Sequence, residues 1–308
     1  MASDVKIGLL VPGGFGGTPP SMAEFNSFFR RADELGYDSL WVIDRLFHNI
    51  NIIDPMTLMA CAAAVTDRIR LGTSVLLFVM RNPALVAKTI STIDYLSGGR
   101  VTLGISLGGR DNEYEPMGVD VKRRVSRFTE GLEVMRRLWN EDGVTHHGRF
   151  FDMDNVTVNP KPVQKPGIPV IFGGTAEGVF KRTGELADGW VSGGTGNAEG
   201  YGQALEKIRG YAQAAGRDPA SLDSAKLMYC YVDDDRERAK SELENFTHAY
   251  YGPQYDVENN CAYGTGEQCA EVIQRYIDNG AKTIILGPTW PDNSQIERIW
   301  NEIVPRLR

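Results

Sequence analysis

Asp44, Arg45 and His48 put a carboxylate, a guanidinium and an imidazole within five residues of chain, directly behind the short apolar run Ser39–Ile43. An imidazole exchanges a proton near neutral pH. A buried carboxylate must find a partner, which Arg45 or a ligand group could be; the plainer reading is an Asp–Arg bridge that only holds a loop. Two glycine-rich stretches, Gly173-Gly174-Thr175 and Gly193-Gly194-Thr195-Gly196, also follow short apolar runs and lead into helical patterns. Bare backbone N–H groups at a helix start close well on phosphate oxygens, although each pair read alone is equally a turn. Arg110, which follows Ser106 and Gly108-Gly109, could add full charge and two-pronged geometry for the same anion, or pair with Asp111 or Glu113. His146 and His147 lie in a proline- and aromatic-rich stretch and are expected in solvent. There is no Ser/His/Asp order, no metal-ligand spacing and no paired-carboxylate motif, so no metal is expected. So little catalytic machinery fits an enzyme whose cofactor carries the chemistry.

The elements that must position these residues alternate from end to end. The apolar runs Val5–Val11, Ser39–Ile43, Ile69–Leu76, Val101–Ser106, Pro169–Phe172, Gly189–Ser192, Lys226–Val232 and Thr283–Leu286 read as strands. Helices start at the capping box Ser21-x-x-Glu24, at Asp54-Pro55 and at Asn82-Pro83, each a cap followed by residues suited to a first turn; Thr175 reads as another cap. Stretches 143–166 and 250–264 break the rhythm and read as irregular insertions. Strands apolar on both faces belong to a parallel sheet covered by helices. The fold class is therefore α/β, a (β/α)8 TIM barrel with insertions after strands four and seven, as one domain over residues 1–308. A doubly wound open sheet is the alternative, but its Gly-x-Gly-x-x-Gly signature is missing. A barrel gathers the carboxyl ends of its strands into one site. That brings Asp44, Arg45, Ser74, Val75, Ser106, Gly108, Arg110, Gly173, Gly174, Thr175, Gly193 and Gly194 together. Phe15, on the loop after strand one, and Tyr250, Tyr251 and Tyr255, in the second insertion, then become candidate substrate walls, with aromatic surface packing as the alternative.

Composition narrows the partners. The 308 residues carry 33 Lys and Arg against 40 Asp and Glu, a net charge of −7, which argues against a nucleic-acid partner. No apolar run is long enough to span a membrane, and the N-terminus lacks a signal-peptide pattern. The four cysteines form no Cys-x-x-Cys pair and are expected as free thiols, with the cytoplasm as the expected compartment. The 34 glycines exceed ordinary usage of about 7%, which calls for turns or for backbone that approaches something closely.

Several stretches together resemble a known family. Ala32-Asp33-Glu34-Leu35-Gly36-Tyr37-Asp38-Ser39-Leu40-Trp41, Asp54-Pro55-Met56-Thr57-Leu58, Arg68-Ile69-Arg70-Leu71-Gly72-Thr73-Ser74-Val75 and Arg81-Asn82-Pro83-Ala84-Leu85-Val86-Ala87-Lys88 lie in the first third of the chain. Leu96-Ser97-Gly98-Gly99-Arg100, Gly148-Arg149-Phe150, Pro160-Lys161-Pro162-Val163-Gln164 and Ala187-Asp188-Gly189-Trp190 follow. In these the chain resembles the luciferase-like monooxygenases, the group of bacterial luciferase and its flavin- or deazaflavin-dependent relatives. The resemblance implies a TIM barrel, usually a homodimer, with an isoalloxazine or deazaflavin ring beside a kinked strand three. It implies a non-proline cis peptide at Ser74-Val75. It also implies a cofactor phosphate at Gly108, Arg110, Gly173, Gly174, Thr175, Gly193 and Gly194. Many relatives carry His directly after the acidic residue that ends strand two; Arg45 stands there instead, which puts the histidine's acid/base role in doubt: Arg45 could instead stabilise an anionic reduced cofactor, and His48 could take a shifted catalytic role.

The implied activity is monooxygenation of a small organic substrate with oxygen and reduced FMN, supplied by a separate reductase. The alternative within the family is hydride transfer with coenzyme F420. Gly72-Thr73-Ser74-Val75-Leu76 occurs in deazaflavin-type relatives, whereas Arg81-Asn82-Pro83-Ala84-Leu85 is common on the FMN side. A noncatalytic flavin-binding barrel is the alternative of another class.

Overall fold

The computed structural model describes residues 5–308. Eight strands form the frame: β1 (Lys6–Leu10), β2 (Ser39–Val42), β3 (Arg70–Thr73), β4 (Val101–Ser106), β5 (Val170–Gly173), β6 (Gly189–Ser192), β7 (Asp223–Val232) and β8 (Thr283–Gly287). They pair in parallel in the order 5-6-7-8-1-2-3-4, and β5 closes the ring on β4 with Val170 opposite Leu103 and Phe172 opposite Ile105. This is the closed (β/α)8 barrel that the alternation predicts. The helices around it are α1 (Met22–Leu35), α2 (Pro55–Val65), α3 (Pro83–Leu96), α4 (Arg124–Asn140), α5 (Glu177–Leu186), α6 (Ala198–Ala214), α7 (Arg236–Tyr251), α8 (Gly266–Asp278) and α9 (Asn293–Arg298). The expected starts hold: Ser21 and Glu24 cap each other's backbone, Asp54 accepts from Thr57 N–H at 2.9 Å, and Asn82 accepts from Ala84 N–H at 2.9 Å.

Three expectations need correction. Thr175 does not cap α5, because the chain stays extended for one more residue and Ala176 takes the cap position with no side-chain bond. Stretch 143–166 contains an antiparallel hairpin, Val144–His147 with Asp152–Val156. Its turn is gathered by the Glu130 carboxylate of α4, which accepts from the N–H groups of Arg149, Phe150 and Phe151. His147 is exposed as expected, whereas His146 packs against Glu130. The second insertion begins inside α7, so Tyr250 and Tyr251 are helical; it continues as a short helix, Val257–Asn260, and a strand, Ala262–Gly264, parallel to the end of β7.

Several charged residues of the motifs that carry the resemblance brace the amino ends of the strands. Asp38 accepts from Ile7 N–H, and Asp33 accepts from the N–H groups of Asp67, Arg68 and Ile69. Arg100 donates to the carbonyls of Ile69, Thr66 and Ser97. Asp188 accepts from Val170 N–H. Each charge satisfies backbone groups that would otherwise be stranded where loops enter the barrel.

Strand three breaks where the resemblance predicts. Gly72 lies opposite Thr102 but Leu76 lies opposite Ile105, so the strand carries one extra residue, and the Ser74-Val75 peptide within it is cis. Thr73 Oγ1 fills the gap, donating to Gly104 O at 2.6 Å and accepting from Gly104 N–H at 2.9 Å. A Cβ at Gly104 would stand 2.0 Å from the Thr73 carbonyl oxygen. Beyond the break, Leu77 N–H donates to the Asp44 carboxylate at 2.9 Å, and the Arg81 guanidinium closes on both its oxygens at 3.0 Å.

Gly104→Ala should therefore lower the unfolding free energy by about 2 kcal/mol or more through overpacking. Gly210→Ala, in α6 where a Cβ meets nothing within 4 Å, should raise it by about 0.5–1 kcal/mol; urea titrations of the two variants read the contrast. Burial raises the Asp44 pKa against the opposing Arg81 charge. Arg81→Ala should cost about 3 kcal/mol near neutral pH, because it leaves that carboxylate buried without its counter-charge. The cost should shrink as pH falls and the carboxyl becomes neutral; unfolding titrations carried from neutrality into acid test the sign.

Candidate active site

A cavity of about 500 Å³ opens at the carboxyl ends of the strands, within the range that holds a cofactor-sized ligand. Its lining brings together Asp44 and Arg45 from β2, Ser74 and Val75 from the break in β3, and Ser106, Gly108 and Arg110 from β4. Gly173, Gly174 and Thr175 after β5, Gly193 and Gly194 after β6, and Tyr250 and Tyr251 from α7 also line it, as expected. Leu77, Val179 and Leu227 are apolar members of the wall that the sequence did not single out.

Three expected residues stand apart. His48 is tied to backbone: Nδ1 accepts from Ile50 N–H at 3.2 Å, so Nε2 carries the proton and donates to Tyr250 O at 3.0 Å while the ring stacks on Tyr250. It clamps α7 to the loop after β2 and is not part of the lining. Phe15 is buried edge-on between Phe25 and Trp290, because the loop after β1 folds back as a two-residue strand against Asn51–Ile52. Tyr255 lies behind the cavity and donates its hydroxyl to Gly194 O.

The charges pair differently from the local reading. Asp44 does not bond to Arg45; its partner is Arg81, 37 residues along the chain. Arg45 faces Glu113 at 3.4 Å, and Glu113 is fully buried, its Oε2 also accepting from Arg110 N–H at 2.7 Å. Arg45 Nε and Glu113 Oε1 are buried without a protein partner. Gly109 leaves room for this pair, since a Cβ there would lie 1.8 Å from Glu113 Oε2. The Arg110 guanidinium donates to Tyr250 O at 3.1 Å. The Tyr250 phenol is pushed up by burial and drawn back by the Arg45 charge.

The glycines divide into two kinds. Gly173 is small because Val75 occupies its place: a Cβ would stand 2.8 Å from Val75 Cγ1. Gly193 has open space where a side chain would be, and the Gly174 carbonyl is held from behind by Trp190 Nε1 at 2.8 Å. The residues therefore fit a flavin-type cofactor in size, in the open backbone at Gly193 and in a buried unpartnered donor at Arg45. The sequence named Glu113 only as a partner for Arg110 and Arg81 only within a family stretch; their pairings with Arg45 and Asp44 gave no signal, since those partners are remote. Lys226 did: a lysine inside the apolar run of β7 is costly unless something meets its charge. It is 1% exposed, and its ammonium donates to Gly193 O at 2.6 Å and to Thr195 O at 3.0 Å. Among the described residues no cluster of His, Cys, Asp or Glu could hold a metal ion, and no helix is long and apolar enough to cross a membrane.

Known proteins share the chain's sequence pattern and fold. An uncharacterised protein of Mycobacterium tuberculosis is 38% identical over 167 residues, 54% of this chain and 58% of that one. The F420-dependent glucose-6-phosphate dehydrogenase of Kineococcus radiotolerans is 32% identical over 236 residues, 74% of this chain and 67% of that one. The match to the first thus spans little more than half of that protein's own length. An F420-dependent secondary alcohol dehydrogenase, solved with an F420-acetone adduct, has the same fold with a TM-score of 0.87, 23% identity and 99% of both chains covered. The family model for luciferase-like monooxygenases matches residues 5–283. The chain belongs to the luciferase-like monooxygenase family, whose oxidoreductases include F420- and FMN-dependent members.

Proposed function

We propose that the chain is a coenzyme F420-dependent oxidoreductase acting on a small carbonyl or alcohol substrate. The observation that carries this reading is the work done by the two stretches that point to different cofactors. Arg81-Asn82-Pro83-Ala84-Leu85, common on the FMN side, is occupied by structure: Arg81 holds Asp44, Asn82 caps α3 and Pro83 opens it. Its presence therefore says little about oxygen chemistry. Gly72-Thr73-Ser74-Val75-Leu76, the deazaflavin-type stretch, forms the break whose Ser74 and Val75 line the cavity. The F420-dependent relative at 32% identity supports the same choice.

Bound F420 supplies the hydride, or accepts it. Val75, seated on Gly173, offers an apolar bearing for its ring, and Gly193, Gly194, Thr175 and Arg110 would hold its phosphate. Arg45 Nε is the buried donor left over for a partial negative charge on ring or substrate. Tyr250 and Tyr251 would wall the substrate side, and with His48, Asp44 and the Tyr251 hydroxyl committed elsewhere the Tyr250 hydroxyl beside Arg45 is the candidate to exchange a proton. A second reading, monooxygenation with oxygen and reduced FMN from a separate reductase, draws on the apolar wall of Val75, Leu77 and Leu227, since reactive flavin species also need water kept out.

Titration of the protein with F420 and with FMN, followed by oxygen uptake with each reduced form, separates the readings. F420 should bind at least about tenfold more tightly, with no oxygen consumed. FMN binding with oxygen uptake would move the assignment to the second reading, and binding without any turnover would leave a noncatalytic carrier. Arg45→Lys keeps a positive charge facing Glu113 but removes the Nε donor. Steady-state assays should show turnover reduced about tenfold or more while the melting temperature barely moves.

A further inference from the structure

The turn after β6 is held by its carbonyls. Four in succession accept from side chains on one side: Gly193 O and Thr195 O from Lys226, Gly194 O from the Tyr255 hydroxyl, and Gly196 O from the Tyr276 hydroxyl at 2.6 Å. Asn260 Oδ1 adds a bond from Gly196 N–H at 3.0 Å. In a planar trans peptide the N–H points opposite the preceding carbonyl. The N–H groups of Gly194 and Thr195 are therefore turned away from Lys226 and Tyr255, on a turn whose Gly193 and Gly194 border the cavity. We propose that Lys226 is a positioning residue for the phosphate end of the cofactor site, fixing this turn with its N–H groups presented and lending it positive charge from behind.

The choice of lysine is the informative part. Two carbonyls could be bridged by a neutral donor, yet a buried ammonium is used, and among the described residues no carboxylate pairs with it. The groups that face it are the Tyr276 ring of α8, 5.0 Å away, and from the insertion the Cys261 thiol, which burial pushes up to about 12 and so keeps neutral. Burial lowers the Lys226 pKa to about 8. A charge in that position is costly, and an anion on the far side of the turn would be its missing counter-ion. By linkage the bound anion should favour the protonated lysine, so affinity should be full below that value and decline as pH rises through it.

This inference rests on the cofactor reading above. The probes are F420 and its own deazariboflavin fragment (7,8-didemethyl-8-hydroxy-5-deazariboflavin), which has the same ring and ribityl chain but neither the phosphate nor the lactyl-glutamate tail, so that their affinity ratio reads the phosphate-bearing end. In the wild-type protein the ratio should be large near neutral pH and fall severalfold by pH ~9.5, as Lys226 deprotonates. Lys226→Met should reduce the ratio about tenfold and abolish its pH dependence, with deazariboflavin affinity unchanged. Lys226→Gln, which restores a donor without charge, should recover part of the affinity but not the pH dependence. A merely structural lysine would alter stability and leave ratio and profile alone. If wild type binds both probes but its ratio is near one or does not vary with pH, the inference is overturned and the cofactor reading stands. If either folded variant keeps the wild-type ratio and profile, the same follows. Binding of neither probe to wild type would overturn both.

Discussion

The Asp44 carboxylate, buried at the end of β2, governs the shape of the site. Taking it out of water is offset only because Arg81 closes on both its oxygens and Leu77 N–H adds a third contact. Those two partners lie just beyond the break in β3, so the pair pins the returning chain against β2. With Ser74 N–H donating to Val42 O on the near side, the extra residue is held from both directions. Val75 then has one place to go, into the cavity against Gly173 and beside Gly104. Part of the glycine excess follows from this rather than from any ligand: Gly104 clears a carbonyl, Gly173 clears Val75 and Gly109 clears the Arg45–Glu113 pair.

A second constraint is charge. The chain is acidic overall at −7, yet the groups facing or backing the cavity include Arg45, Arg110 and Lys226. Only Arg45 meets a carboxylate there, and that pair leaves one atom on each side without a partner. An acidic protein that gathers cations at one mouth focuses its field on anionic ligands at that mouth and discourages them elsewhere. The same balance that argues against nucleic acid thus fits the anion-bearing cofactor proposed for this mouth.

The fold was legible because its signals are local. Caps such as Ser21, Asp54 and Asn82 act within three residues, and each buried strand carries its own apolar run. The site was legible only as far as barrel geometry carries it, by collecting strand ends. Pairings across 37, 68 and 33 residues, Arg81 with Asp44, Glu113 with Arg45 and Lys226 with Gly193, leave no trace in neighbouring sequence. Adjacency even misled, since Arg45 follows Asp44 and does not bond to it, and His48 sits three residues past Arg45 and spends both nitrogens on backbone. The stretches that reveal the family supply braces at the opposite end of the barrel, such as Asp33, Arg100 and Asp188. They identify the frame more securely than the chemistry.

The second insertion, residues 250–264, is where the two halves of the site meet. Its helical start puts Tyr250 and Tyr251 into the cavity wall, while Tyr255 and Asn260 a few residues later hold the Gly193–Gly196 turn. Tyr251 stacks on Tyr255, and its hydroxyl meets that of Tyr229 on β7, the strand that also carries Lys226. Wall and turn are therefore one packed unit rather than two independent surfaces. In such a unit an anion that tightens the turn also restricts the tyrosines, and the ordering entropy spent on the first ligand is not spent again on the second. Under the proposed function, cofactor and substrate would for this reason favour each other's binding through these shared tyrosines.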